Sequence, residues 1–86
     1  MTKEDLCIGY VVETRDGTKC LFCQDGRFII LEDGTWHTTL DHYRDDLTDK
    51  DDETEYDIVK VYEDYTMKRV LWERITFNPK LRLELT

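Results

Sequence analysis

The sequence predicts an all-β domain: a small SH3-like or half-open antiparallel barrel built on a four-stranded meander, with little helix. Three observations predict it. Asp-Gly occurs three times between Thr14 and Thr39, at Asp16-Gly17, Asp25-Gly26 and Asp33-Gly34. Each pair lies between short runs rich in β-branched and aromatic residues. Further on, "YDIVKVYE" and "RVLWERITF" read as strands of the same kind.

Asp-Gly suits a two-residue hairpin loop, whose two central residues take positive φ. Asp tolerates that conformation and Gly takes it freely. The expected strands are Cys7–Arg15, Thr18–Gln24, Arg27–Glu32 and Thr35–Thr39. Two-residue loops then fix the register. Val12 faces Leu21 and Tyr10 faces Cys23 across the first turn. Leu21 faces Ile30 and Cys23 faces Phe28 across the second. Ile30 faces His37 and Leu31 faces Trp36 across the third. Opposed residues share a face. One face carries Ile8, Tyr10, Val12, Leu21, Cys23, Phe28, Ile30 and His37; the other carries Val11, Cys20, Phe22, Ile29, Leu31 and Trp36. A sheet apolar on both faces closes a core with one and needs cover for the other, from its own chain, another subunit or a partner.

Residues 41–57 have little apolar periodicity and read as an acidic loop, opening with a helical turn over Asp41–Leu47. Tyr56–Glu63 is a strand and Glu63–Lys68 a connection. Arg69–Phe77 reads as a strand, with a short helix as the alternative. Asn78-Pro79 ends it, because proline donates no ladder bond. Lys80–Thr86 alternates leucine with charge, as an edge strand would. The chain is read as one domain over residues 1–86.

The net charge of −8 is unevenly spread. Residues 41–57 hold nine acids and two bases, residues 1–40 are net −3, and residues 58–86 are net +2. Such a chain repels phosphate backbones, which argues against direct nucleic-acid binding. No apolar run approaches the ~20 residues of a membrane helix. The opening Met-Thr-Lys-Glu-Asp lacks the basic and apolar regions of a signal peptide, so a soluble intracellular protein is expected. Three cysteines, an odd number, imply no disulfide framework.

Cys20-Leu21-Phe22-Cys23 is a C-x-x-C, a weak metal or redox signal on its own. Zinc would need further ligands from His37, His42 or Cys7. Residues three apart on a strand point to opposite faces, so buried thiols are the preferred reading. His37 has no serine or catalytic cysteine partner and is read as a packed strand histidine. His42 is read as solvated. The acidic segment lacks the D-x-D-x-D-G calcium-loop pattern. It is either a solvated loop or a surface offering Asp45, Asp46, Asp49, Asp51, Asp52, Glu53 and Glu55 to a basic host protein. Trp36, Trp72, Tyr43 and Tyr56, with Arg27, Arg44, Arg69 and Arg74, are candidates for a base-stacking, phosphate-holding pocket. No catalytic set, metal-ligand set or cofactor motif is found, so no enzyme, metal or cofactor is expected.

Three blocks carry a resemblance: "DDLT" (Asp45–Thr48), "YDIVKVY" (Tyr56–Tyr62) and "LWER" (Leu71–Arg74). With the "GYVVETRDG" opening from Gly9, they resemble small proteins encoded by phages and prophages of Gram-positive bacteria. The resemblance implies context rather than sites: an accessory protein acting in the host bacterial cytoplasm against a bacterial defence system, as anti-CRISPR inhibitors do. Two modes are expected. The acidic surface docks on the nucleic-acid groove of a host protein, or a homo-oligomer sequesters a cyclic nucleotide immune signal. A phage structural or adaptor role is the third class.

Overall fold

A computed structural model describes residues Met1–Arg74. Its strands are β1 (Val11–Thr14), β2 (Lys19–Phe22), β3 (Arg27–Ile30), β4 (Trp36–Thr39), β5 (Ile58–Tyr62) and β6 (Val70–Glu73). They form one antiparallel sheet in the order β4-β3-β2-β1-β5-β6. The all-β class and the four-stranded meander stand as read. Among the described residues the sheet is open, with β4 and β6 outermost. Helix among the described residues is limited to single 3₁₀ turns at Lys3–Asp5, Leu40–His42 and Thr54–Tyr56. The helical turn expected over Asp41–Leu47 is the shorter Leu40–His42 turn. Of residues 69–77, Val70–Glu73 are a strand; 75–77 and the expected edge strand at 80–86 lie outside the described residues.

The turns correct the register. Val12 pairs with Cys20, not Leu21, and Cys20 pairs with Ile30. The first loop has three residues, Arg15, Asp16 and Gly17, closed by Thr14 N–H to Thr18 O at 2.9 Å. The second, Gln24-Asp25-Gly26, is closed by Cys23 N–H to Arg27 O at 2.9 Å. In the third, Ile30 N–H reaches Thr35 O at 2.9 Å across four residues. The glycines take positive φ (Gly17 90°, Gly26 81°, Gly34 72°), but their aspartates do not. In the first two loops, Gly17 N–H and Gly26 N–H return to the Thr14 and Cys23 carbonyls at 2.9 and 3.0 Å, the type I turn followed by a left-handed glycine. In the third, Gly34 N–H returns to Ile30 O at 2.8 Å. None is the two-residue turn that needs positive φ at both positions. One residue of slip moves a strand's side chains to the other face. His37 accordingly does not face Ile30: Ile29 pairs with Trp36 and Phe28 with Thr38, leaving His37 at a bulge.

The corrected faces are both apolar, with different members. The inner face supplies Val12, Cys20, Phe22, Phe28, Ile58 and Val61 to the core, closed by Leu6, Tyr43 and Leu47 from outside the sheet. Phe28 stacks tilted on Phe22 at 5.1 Å and edge-on to Tyr43 at 5.7 Å. Each such buried side chain is worth roughly 1.5–3 kcal/mol relative to exposure. The outer face carries one apolar row across all six strands: Trp36, Ile29, Leu21, Val11, Tyr62 and Val70 are successive cross-strand partners. Val11 is fully buried and Tyr62 nearly so, while Trp36 is 62% exposed. Tyr62 donates its hydroxyl to Glu13 at 2.8 Å. Ladder irregularities at Glu13/Thr14, Phe28/Ile29 and Val61/Tyr62 bend the sheet around its core.

Candidate functional site

The acidic segment is a built structure. Leu47 takes positive φ (71°) and is fully buried, so it pins the segment to the core. Asp57, buried between segment and sheet, accepts Asp49 N–H at 2.8 Å on Oδ1 and faces Arg15 Nη2 at 3.4 Å with Oδ2. Tyr43 donates its hydroxyl to Tyr56 O at 2.8 Å. Burial drives the Tyr43 phenol well above its ordinary pKa, so it stays a donor. Arg44 spans the loop, donating to Asp49 O at 2.8 Å and Lys50 O at 3.2 Å while pairing with Asp52 at 2.7 Å. Arg74 reaches Asp46 O at 2.6 Å and Ile58 O at 3.1 Å.

These contacts sort the seven candidate acids. Asp49 is not a surface residue: its side chain is fully buried, and Oδ2 accepts the N–H groups of Asp51 and Glu53 at 3.0 and 3.1 Å. Asp46 is exposed but accepts Thr48 N–H and hydroxyl at 3.0 and 2.6 Å, which hold its carboxyl below the usual range. Asp51 and Asp52 are exposed beside His42 and Arg44 respectively. Asp45, Glu53 and Glu55 are exposed and make no ion pair among the described residues. The neighbouring Glu55 carboxyl pushes that of Glu53 above the usual range. Crowded like charges of this kind are relieved by an arriving cation.

The aromatic and arginine candidates do not gather into one pocket. Trp36 stands on the outer face. Trp72 packs at the core edge under Arg74, at 5.1 Å. Tyr43 is in the core and Tyr56 lies edge-on to His37 at 5.5 Å. Arg27 pairs with Asp25 at 2.9 Å and Arg69 with Glu63 at 3.7 Å, both at the surface. Arg44 and Arg74 spend their guanidiniums on backbone carbonyls of the acidic segment.

The cysteines behave as small core and surface groups. Cys20 is buried and its thiol is pushed up to about 11 by desolvation, Cys23 is half-buried and Cys7 exposed. Among the described residues they join no metal-ligand cluster.

His42 is not simply solvated. Its Nε2 lies 3.2 Å from Asp49 Oδ1 and 3.1 Å from Asp51 Oδ2. His42 and Asp49 border a cleft of about 270 Å³, also lined by His37, Thr38, Tyr43 and Tyr56, while Asp51 joins them at the surface. Two buried polar atoms here have no hydrogen-bond partner, Asp49 Oδ1 and His37 Nε2. Desolvation first of all lowers the His37 pKa, keeping that imidazole neutral. The sequence signal was present in the spacing His42-x6-Asp49-x-Asp51, but only the fold of the segment brings the three together.

Comparisons with protein-family models, with curated proteins and with solved structures give no match for this chain. Among the described residues no helix is long and apolar enough to cross a membrane.

Proposed function

We propose that this protein is a phage or prophage accessory protein that works by binding, without catalysis, in the host bacterial cytoplasm, and antagonises a bacterial defence protein. Its acidic segment is the docking surface. The single observation that supports this most is the ordered display of Asp45, Asp51, Asp52, Glu53 and Glu55 on a platform pinned by Leu47, Asp57 and Arg44. Preordered carboxylates lose little freedom on binding. Their field speeds encounter with a basic groove and makes the association salt-sensitive. The partner is a nucleic-acid-binding host protein whose phosphate sites the carboxylates occupy.

The test is phage plating on a defence-bearing host expressing the protein. The wild type restores plaques. Reversal of Asp45, Asp52, Glu53 and Glu55 to Lys abolishes the effect while leaving the fold intact by circular dichroism. Undiminished protection by the reversed variant contradicts the reading.

The outer apolar row supports a second reading, a homo-oligomer that encloses a small cyclic nucleotide. Trp36, the most exposed member of that row, offers a stacking surface. Thermal stabilisation by cyclic nucleotides, together with a mass above 10.4 kDa in solution, would favour it over the acidic-surface mode. Copurification with capsid or tail proteins would favour a structural or adaptor role instead.

A further inference from the structure

We propose that His42 Nε2, Asp49 Oδ1 and Asp51 Oδ2 form a binding site for one divalent transition-metal ion, with Zn²⁺ the best-fitting ion. The three atoms lie within 4.8 Å of one another. The separations from the imidazole nitrogen are 3.2 and 3.1 Å. Metal–ligand bonds of about 2.1 Å convert such separations into ligand–metal–ligand angles of about 97°, between octahedral and tetrahedral. Each carboxylate oxygen is therefore spaced from the imidazole nitrogen as a fellow ligand of one ion.

Close spacing of acids is not enough, and the decisive observation is Asp49. Its side chain is fully buried and is held from behind by the N–H groups of Asp51 and Glu53 on Oδ2. Oδ1 points into the cluster yet accepts no hydrogen bond, although His42 Nε2 is in range. A proton on His42 thus fails to satisfy the buried oxygen. A buried carboxylate oxygen without a partner is costly, and a cation at the convergence point removes that cost. His37 adds a second sign. Its Nε2 is also buried and unpartnered, it lines the same cleft, and desolvation keeps the ring neutral, the state in which imidazole donates to metals.

The donor set selects the ion class. Calcium and magnesium take oxygen-only shells, whereas one imidazole with two carboxylates suits zinc and its first-row neighbours. The bound ion would tie the Leu40–His42 turn to the acidic segment and offset two of that segment's negative charges. This inference goes beyond the docking role, and its readout is metal binding by the isolated protein.

The experiment is calorimetric titration of Zn²⁺ into the full, chelator-stripped, thiol-reduced chain. The wild type is expected to bind one equivalent saturably, with thermal stability rising with zinc. His42→Ala and Asp51→Ala should each weaken binding by at least about tenfold, the scale on which lost site contacts act. These side chains are 43% and 66% exposed, so folding tolerates their loss. Asp51→Asn, which keeps the shape, guards against loop disturbance and should weaken binding likewise. Cobalt loaded in place of zinc should show visible ligand-field bands without a thiolate charge-transfer band. No saturable binding, affinity unchanged in all three variants, or a thiolate band pointing to Cys20 and Cys23 overturns the proposal.

Discussion

The Tyr43 hydroxyl donates to the Tyr56 carbonyl at 2.8 Å, bridging thirteen positions of the most acidic part of the chain. The phenol ring is in the core against Phe28, so the bond fastens the far end of the acidic segment to the hydrophobic interior. The charged residues between those ends are held by a framework that is itself uncharged or paired. Tyr43→Phe removes this bond and leaves a carbonyl unpaired. It should cost about 1 kcal/mol of unfolding free energy, whereas Tyr43→Ala should cost roughly 3–5 kcal/mol through the cavity it opens. Urea titration of both variants checks the order and the size.

Asp57 does two things at once, accepting Asp49 N–H and facing Arg15. Asp57→Ala strips a buried backbone donor of its partner. The expected loss is about 2–3 kcal/mol, as for hydrogen bonds to charged groups. Arg15 is 40% exposed at its side chain, so Arg15→Ala should cost less than 1 kcal/mol. A thermal melt of the two variants separates the contributions.

The three-residue turns make a prediction about glycine. Gly17 holds φ at +90° with open space where a Cβ would go, so only backbone conformation opposes alanine there. Gly17→Ala should destabilise by on the order of 1 kcal/mol. Equilibrium unfolding of this variant, beside Gly26→Ala at φ +81°, measures the cost of the left-handed position twice.

Buried Cys20 sets an alkaline limit. Its folded pKa, about 11, stands above the ordinary value of 9.0 because burial disfavours the thiolate. Between those values the unfolded chain gives up a proton that the folded chain keeps. This contribution to stability is therefore complete below pH 9 and is lost as pH rises toward 11. Thiol labelling at pH 8 should modify exposed Cys7 quickly and Cys20 only on unfolding. Cys20→Ala should flatten the alkaline fall in stability.

The outer row is expected to be nearly silent in stability at its exposed end. Trp36→Thr should change unfolding free energy by about 0.5 kcal/mol or less, as surface changes do. Any concentration-dependent association through that face should fall in the same variant. Sedimentation velocity over a range of concentrations reads both the mass and its loss.

The class and chain order of the strands were legible because turn residues and β-branched runs alternate over a short distance. The register was not, since Asp-Gly serves two-, three- and four-residue loops alike. What decides between them is the aspartate carboxylate. Asp16 accepts Thr18 N–H at 3.0 Å, Asp33 accepts Thr35 N–H at 2.9 Å, and Asp25 accepts Arg27 N–H at 3.2 Å, bonds that favour a turn with Asp outside the left-handed region. The same Asp-x-Thr device recurs at Asp46–Thr48 and Asp64–Thr66, outside any hairpin read from the sequence. It was the overlooked signal that the acidic segment folds. The identity of its exposed acids was legible from charge alone, but the burial of Asp49 and the approach of His42 depend on contacts remote in sequence. The scattering of Trp36, Trp72 and their arginines follows from the register and from carbonyls that claim Arg44 and Arg74 first.

The central claim is that residues 45–56 form an ordered platform and not a solvated tether. Residue-resolved amide hydrogen exchange under native conditions tests it most directly. The account predicts that the N–H of Asp49, buried against Asp57, and those of Asp51 and Glu53, bonded to Asp49, exchange far more slowly than in a free chain. Exchange of all three at free-chain rates while β1 and β2 remain protected would contradict it.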